Sequence, residues 1–184
     1  SGGNGNTFSY YASVGLQQQE GILKESQLDR YSGKLKMNQT GWDGRLKIDY
    51  NLSGSRTENL RPNINATISD MLGLNPTFNA FQNSQFSFLP EGRINPLLRN
   101  DLFSDEATNN RILASIAPSV EIVNGLTYKL NIGVDYSQTS RYIQNRAISL
   151  AQFDQLGSLT SIAVENTNQL IENTLNYSFA INKH

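Results

Sequence analysis

The chain of 184 residues contains no cysteine, which excludes a disulfide scaffold and thiolate metal sites. It contains one histidine, the terminal His184, so imidazole catalysis and histidine metal clusters have nothing to work with. Charged residues make up 17% of the chain, against roughly 25% in an average soluble domain. The net charge of −1 gives no electrostatic footprint for nucleic acid, so no nucleic-acid partner is expected. No apolar run approaches the ~18–20 residues of a membrane helix. Low net charge with plentiful Tyr and Phe also argues against disorder. Uncharged polar residues fill the gap: Asn is the commonest residue, with Ser, Gln, Thr and Gly behind it. The chain opens Ser-Gly-Gly-Asn without Met, and a piece of a longer precursor is expected.

What is present is alternation with period two, the signature of half-buried strands. Phe8, Tyr10, Ala12, Val14 and Leu16 share one face of a first strand. Tyr31, Gly33, Leu35 and Met37 share a face of a second, over 30–38. Trp42, Leu46, Ile48, Tyr50 and Leu52 do so over 42–54. A fourth strand, about 110–123, carries Ile112, Ala114, Ile116, Val120 and Ile122, with Pro118 marking a bulge or an edge-like spot. A fifth, 126–136, alternates Leu126, Tyr128, Leu130, Ile132, Val134 and Tyr136 with polar residues. A sixth, about 170–181, aligns Ile171, Leu175, Tyr177, Phe179 and Ile181. The pattern predicts Leu46, Ile48, Tyr50, Leu130, Ile132 and Val134 on one face, and Lys47, Asp49, Asn131 and Asp135 on the other.

The connections alternate in length. Gln39-Thr40-Gly41 and Asn124-Gly125 are tight turns, and Asn182-Lys183-His184 begins a third. On the opposite side lie loops of about 21–28, 58–108 and 141–166. The long loop predicts a short helix near 65–74, capped by Asn65 or Thr67 and ended by Asn75-Pro76, that presents Ile68, Met71 and Leu72 at helical spacing. Beyond it, Phe78, Phe81, Phe86 and Phe88 stand among Asn79, Gln82 and other amides.

Two architectures produce this alternation. One is a soluble antiparallel sandwich, apolar toward a core, which would suit a carbohydrate-binding module. The other is an outer-membrane barrel, apolar toward lipid and polar toward its lumen. Long strands, turns at one end and loops at the other favour the barrel. So do aromatics near the strand ends, read as membrane-interface residues: Phe8, Trp42, Tyr128 and Phe179 toward the turns, Tyr31 and Tyr136 toward the loops. The expected fold is all-β, an antiparallel meander of about six long strands forming an arc of a larger barrel.

Several ordered segments resemble the SusC/RagA family of TonB-linked outer-membrane receptors. They are Ser1 to Asn4, Tyr10-Tyr11-Ala12-Ser13-Val14-Gly15, Gln19 to Leu23, and Arg30-Tyr31-Ser32-Gly33-Lys34-Leu35. Asn75-Pro76-Thr77-Phe78, Ile94-Asn95-Pro96-Leu97, Asn110 to Leu113, Gly125 to Lys129, Gly133 to Ser137 and Glu172 to Tyr177 follow in the same order. The resemblance implies a transmembrane barrel of 22 strands with a plug domain, coupling to the TonB complex, and a SusD-like surface lipoprotein. It implies import of an oligosaccharide or peptide ligand across the lipid bilayer, without catalysis or cofactor. The plug and TonB box have no counterpart in these residues. A passive or adhesive barrel is the alternative within the membrane class.

The single-residue candidates are weighed as follows. Asp101, Asp105 and Glu106 cluster in the long loop but lack cation-loop spacing, and a solvated acidic loop explains them. Lys34, Lys36, Arg45, Lys47 and Asp49 on the polar faces read first as charges pairing across strands, and second as the lining of a solute path. Phe78, Asn79, Phe81, Gln82, Phe86 and Phe88 are the expected ligand or partner contacts, because amides bond hydroxyls and peptide groups while rings stack on apolar faces; an equal reading makes the phenylalanines the loop's own small core. Ile68, Met71 and Leu72 are expected to pack on loops or on the lipoprotein.

Overall fold

The computed structural model describes residues 2–4, 7–75, 77–82, 85–87, 89, 94–150 and 153–179. The chain runs β1 (Gly2–Asn4), β2 (Phe8–Glu20), β3 (Gln27–Gly41), a 3₁₀ turn (Trp42–Gly44) and β4 (Leu46–Leu60). Then come α1 (Ile64–Leu72), the short β5 (Phe81–Gln82) and β6 (Gln85–Phe86), and α2 (Pro96–Leu102). β7 (Phe103–Val123), β8 (Leu126–Asn145), the short β9 (Ile148–Leu150) and β10 (Phe153–Gln155), and β11 (Ser158–Tyr177) complete it. The seven strands β1-β2-β3-β4-β7-β8-β11 form one antiparallel sheet in chain order, a meander with two open edges. Six of these strands are long, as expected. No helix among the described residues is long and apolar enough to cross a membrane, which says nothing of crossing by strands.

Register fixes the faces, because directly opposed residues point the same way. One row runs Tyr10, Met37, Tyr50, Ile116, Ile132, Ile171 across six strands. The next runs Ala12, Leu35, Leu52, Ala114, Val134, Gln169. The opposite face carries Tyr11, Lys36, Asn51, Ser115, Gly133 in one row and Ser13, Lys34, Ser53, Leu113, Asp135, Asn168 in another. The predicted facing therefore holds. No second sheet of the described residues covers the apolar face: Val14 is 90% exposed and Leu52 48%. The sandwich alternative falls on this observation.

The strands outrun the alternation that revealed them. β7 and β8 have 21 and 20 residues, and β11 begins at Ser158 rather than near 170. The long loops shrink accordingly, to 21–26, 61–102 and 146–157. The cause lies in the rows beyond Val14 and Ile112. There the apolar face turns polar, with Arg56, Asn110, Gln138 and Glu165 in one row and Asp29, Glu58, Thr108 and Ser140 in another. With both faces polar, period two disappears while the backbone ladder continues.

Three local expectations need correction. The turn after β3 is Trp42–Gly44, not 39–41, so Trp42 leaves the strand and takes φ 50° in a 3₁₀ turn. The β7 register shift falls between Glu121 and Val123, not at Pro118. Pro118 pairs with Ile48 on β4, whereas toward β8 the ladder steps from Ile116 to Ser119, as suits a residue with no N–H to donate. Helix α1 is capped by Asn63, whose Oδ1 accepts from Ala66 N at 3.4 Å, not by Asn65 or Thr67. Gly125, at φ 83°, makes the turn into β8. Pro76, Ile181 and the 182–184 turn lie outside the described residues.

Candidate functional site

The apolar face forms a belt. It begins at the row Leu46, Val120, Tyr128, Leu175 and ends at the row Val14, Gly54, Ile112, Tyr136. From Leu46 to Gly54 is nine residues along β4. At ~3.3 Å per residue and a tilt of about 40°, this spans roughly 23 Å, close to the ~25 Å apolar band of an outer-membrane barrel. Tyr128 and Tyr136 stand in its two boundary rows. Phe8 and Tyr31 sit one row off the turn-end and loop-end boundaries, both exposed on the apolar face. Tyr128 donates to Asn173 Oδ1 at 2.5 Å. Phe179 follows β11 and stacks on Tyr177 at 5.6 Å. Trp42, 69% exposed, stands on the turn itself rather than in a row of the sheet.

At the loop end a compact cluster forms, and it holds most of the buried side chains among the described residues: Thr67, Leu89, Ile94, Asn95, Asn100 and Asp105. Asn95 is its hub. Its Oδ1 caps α2 by accepting from Leu97 N at 3.0 Å, with Pro96 in the first turn. Its Nδ2 donates to Ala80 O at 2.8 Å and Ser87 O at 3.3 Å, tying the β5–β6 hairpin to the helix. Arg99 of α2 pairs with Asp70 of α1. Asn100 Nδ2 reaches Glu25 Oε2 at 3.3 Å, bringing in loop 21–26.

Asp105 anchors the cluster to the sheet, and it corrects the expectation of a solvated acidic loop. It lies in β7, 4% exposed, between Arg141 of β8 and Arg61. The Arg141 hydrogen bonds hold its carboxyl below the usual carboxylate range, against burial that pushes it up, with the charge of Arg61 adding to the lowering. A carboxylate so occupied has no place for a cation, and no metal-ligand cluster occurs among the described residues.

The predicted contact residues are partly brought together. Phe81 and Phe86 face each other across β5 and β6 with ring centroids 5.0 Å apart. Asn79 and Gln82 are exposed, and Asn79 Oδ1 accepts from Phe81 N at 3.3 Å. Phe78 is half-buried, and Phe88 lies outside the described residues. On α1, Ile68, Met71 and Leu72 are exposed, at 42%, 46% and 83%. Arg141 and Asn95 were missed as functional candidates. Asn95 before Pro96 is a helix-start signal visible in the sequence; the Arg141–Asp105 pairing is not.

On the polar face, the expected cross-strand pairing of charges fails. Lys34 opposes Ser13 and Ser53, Lys36 opposes Tyr11 and Asn51, Lys47 opposes Thr40 and Ser119, and Asp49 opposes Asn38 and Ala117. Arg45 ends the turn and is no part of a row. Ion pairs of this face lie further over, between β7 and β8: Arg111 donates to both oxygens of Asp135 at 2.8 and 2.5 Å, and Arg141 pairs with Asp105 nearer the loop end.

No family model and no curated protein sequence matches the chain. Solved structures do. The RagAB peptide importer in its "closed-closed" state matches with a TM-score of 0.80 and 22% identity over 99% of this chain and 22% of that one. Its "open-open" state gives the same score and identity, over 21% of that chain. The chain has the fold of a segment of this importer. It spans about a fifth of the importer chain's length. The match bears out the fold expected from the sequence, an arc of a larger barrel.

Proposed function

We propose that the chain is part of the barrel wall of a SusC/RagA-type, TonB-dependent outer-membrane receptor that imports oligosaccharides or peptides with a SusD-like lipoprotein. One observation carries the reading: an uncovered apolar belt of bilayer height on one face of a sheet whose other face is polar. In water that face would be an aggregation surface. Against lipid it is satisfied, and the polar face lines a wet interior. The structural match to a peptide importer supports the transport reading. The plug and the TonB box belong to other parts of the receptor.

In this reading the loop cluster is extracellular. Phe78, Asn79, Phe81, Gln82 and Phe86 are its ligand or partner contacts, with Phe88 in the same segment. Ile68, Met71 and Leu72 are the apolar ridge for the lipoprotein. Surface loops on a rigid scaffold are where binding residues concentrate. The test is shortening 77–92 in the intact receptor, with heat-modifiable gel mobility for assembly and a binding titration. Lower affinity for ligand or lipoprotein with an intact barrel is expected. Unchanged affinity for both would reduce this loop to a cover.

A further inference from the structure

On the polar face, β3 carries Arg30, Ser32 and Lys34 in successive rows. Ser13 of β2 and Ser53 of β4 flank Lys34, and Ser55 of β4 flanks Ser32. These residues line a depression of about 340 Å³ in the sheet face. Ser13, Ser32, Ser53 and Ser55 contribute four short hydroxyl side chains, and the two cations of β3, Arg30 and Lys34, stand four residues apart along one strand. Arg30 and Lys34 are exposed and make no ion pair among the described residues.

The contrast with Arg111 is informative. It lines the same depression, and Asp135 neutralises it through two hydrogen bonds. Cations placed only to hold strands together meet an acid in this way. Lys34 meets Ser13 and Ser53 instead, and Arg30 meets Gln17 and Thr57. Asp135 shares the row of Lys34 but lies three strands away, and Asp49 opposes Asn38, four residues beyond Lys34 on β3.

Resting on the importer reading, we propose that this cradle is a binding site for a carboxylate group of the transported solute. The guanidinium of Arg30 supplies a planar fork matched to a carboxylate, Lys34 a mobile point charge, and the serines further donors. A depression of this size lies at the small end of ligand pockets, so it takes one acidic unit at a time: an acidic side chain of a peptide or a uronate ring of an oligosaccharide. Lys36, two residues beyond Lys34 on the same face, extends the cationic track along the wall. The cradle thus selects acidic members of the imported class.

The intact receptor, purified in detergent, tests this with four probes: an aspartate-containing hexapeptide, its asparagine counterpart, an oligogalacturonate and its methyl ester. Binding is titrated at low and high salt for wild type, Arg30→Gln/Lys34→Gln and the charge-keeping Arg30→Lys/Lys34→Arg. Heat-modifiable mobility controls for folding. The glutamine pair is expected to weaken an acidic probe about tenfold or more, with its neutral partner within about twofold, and the difference is expected to shrink in salt. The charge-keeping pair retains the preference and separates charge from packing. Whichever acid shows the effect, peptide or uronate, names the source. Equal losses for acidic and neutral probes, or no loss, overturn the proposal. A barrel that turns leaky to small solutes with unchanged discrimination also overturns it, assigning the cations to contacts within the receptor. Wild type that binds neutral probes without favouring acids sinks the cradle and spares the importer. Wild type that binds none of the four sinks both.

Discussion

Arg141 clamps Asp105 across the β7–β8 ladder, Nε to Oδ1 at 2.8 Å and Nη2 to Oδ2 at 2.6 Å. The pair sits where the sheet ends and the loop cluster begins. Arg61, the first residue after β4, adds Nη2 to Oδ1 at 3.4 Å and its backbone N to Asp105 O at 2.9 Å. One carboxylate thereby fixes both the exit of β4 and the re-entry at β7, and so the span of the loop between them.

Asp105→Asn is expected to loosen that span without opening the barrel. Hydrogen bonds to charged groups are worth about 1.5–3 kcal/mol, and the two arginines keep partial access to water, so a loss of about 2 kcal/mol is expected. Limited proteolysis of the intact receptor should cut within 61–102 some tens of times faster, with heat-modifiable mobility unchanged. The pH dependence follows from the lowered carboxyl pKa. The stabilisation is fully present above the ordinary Asp value of 3.8 and is lost as pH falls through the still lower folded value. Wild-type loop protection should therefore be flat from neutral pH to about 5 and decline only in strong acid.

Facing can be tested by a pair of arginines. Ile116 lies in the middle row of the apolar belt, and its neighbour Ser115 on the polar face. Ile116→Arg is expected to cost about 2–4 kcal/mol of barrel stability, as for a cation at the bilayer midplane, and Ser115→Arg much less. Folding into lipid vesicles over a urea series would measure both. Equal costs would contradict the assignment of the belt.

Asn95 offers a test of the loop cluster as a unit. Asn95→Asp keeps the oxygen that caps α2 but loses the donor to Ala80 O and Ser87 O; Asn95→Ala loses both. The alanine variant is expected to cost about 1–3 kcal/mol more than wild type in cluster opening, with the aspartate variant between them. Hydrogen exchange at 77–102 in the intact receptor reads the order. Identical protection in all three would show that the cluster does not depend on this hub.

The chain expressed alone in water is expected to aggregate or to require detergent. Both edges of its sheet present unpaired backbone, and the belt presents residues such as Val14 and Leu52, 90% and 48% exposed, with no second sheet of the described residues to cover them. Analytical ultracentrifugation in plain buffer is the check. A monodisperse monomer that melts cooperatively would contradict the membrane reading.

Alternation along Leu46-Lys47-Ile48-Asp49-Tyr50 was enough to assign strands, faces and the order of the meander, because a strand that separates an apolar medium from a wet one must repeat every second residue. Asn124-Gly125 located its turn for a similar reason: Gly125 adopts a φ of 83° without steric cost. The same logic explains what stayed hidden. Ser158 to Gln169 carry no alternation, yet they pair with β8 throughout, since backbone hydrogen bonds need no side-chain pattern. Trp42 looked like a strand residue because its parity fitted, whereas the turn geometry removed it from the strand. The burial of Asp105 between Arg61 and Arg141, and the absence of any acid opposite Arg30 and Lys34, depend on which strands lie side by side and in what register. These contacts join residues dozens of positions apart, and only the tertiary structure, by setting the ladder between β4, β7 and β8, decided them.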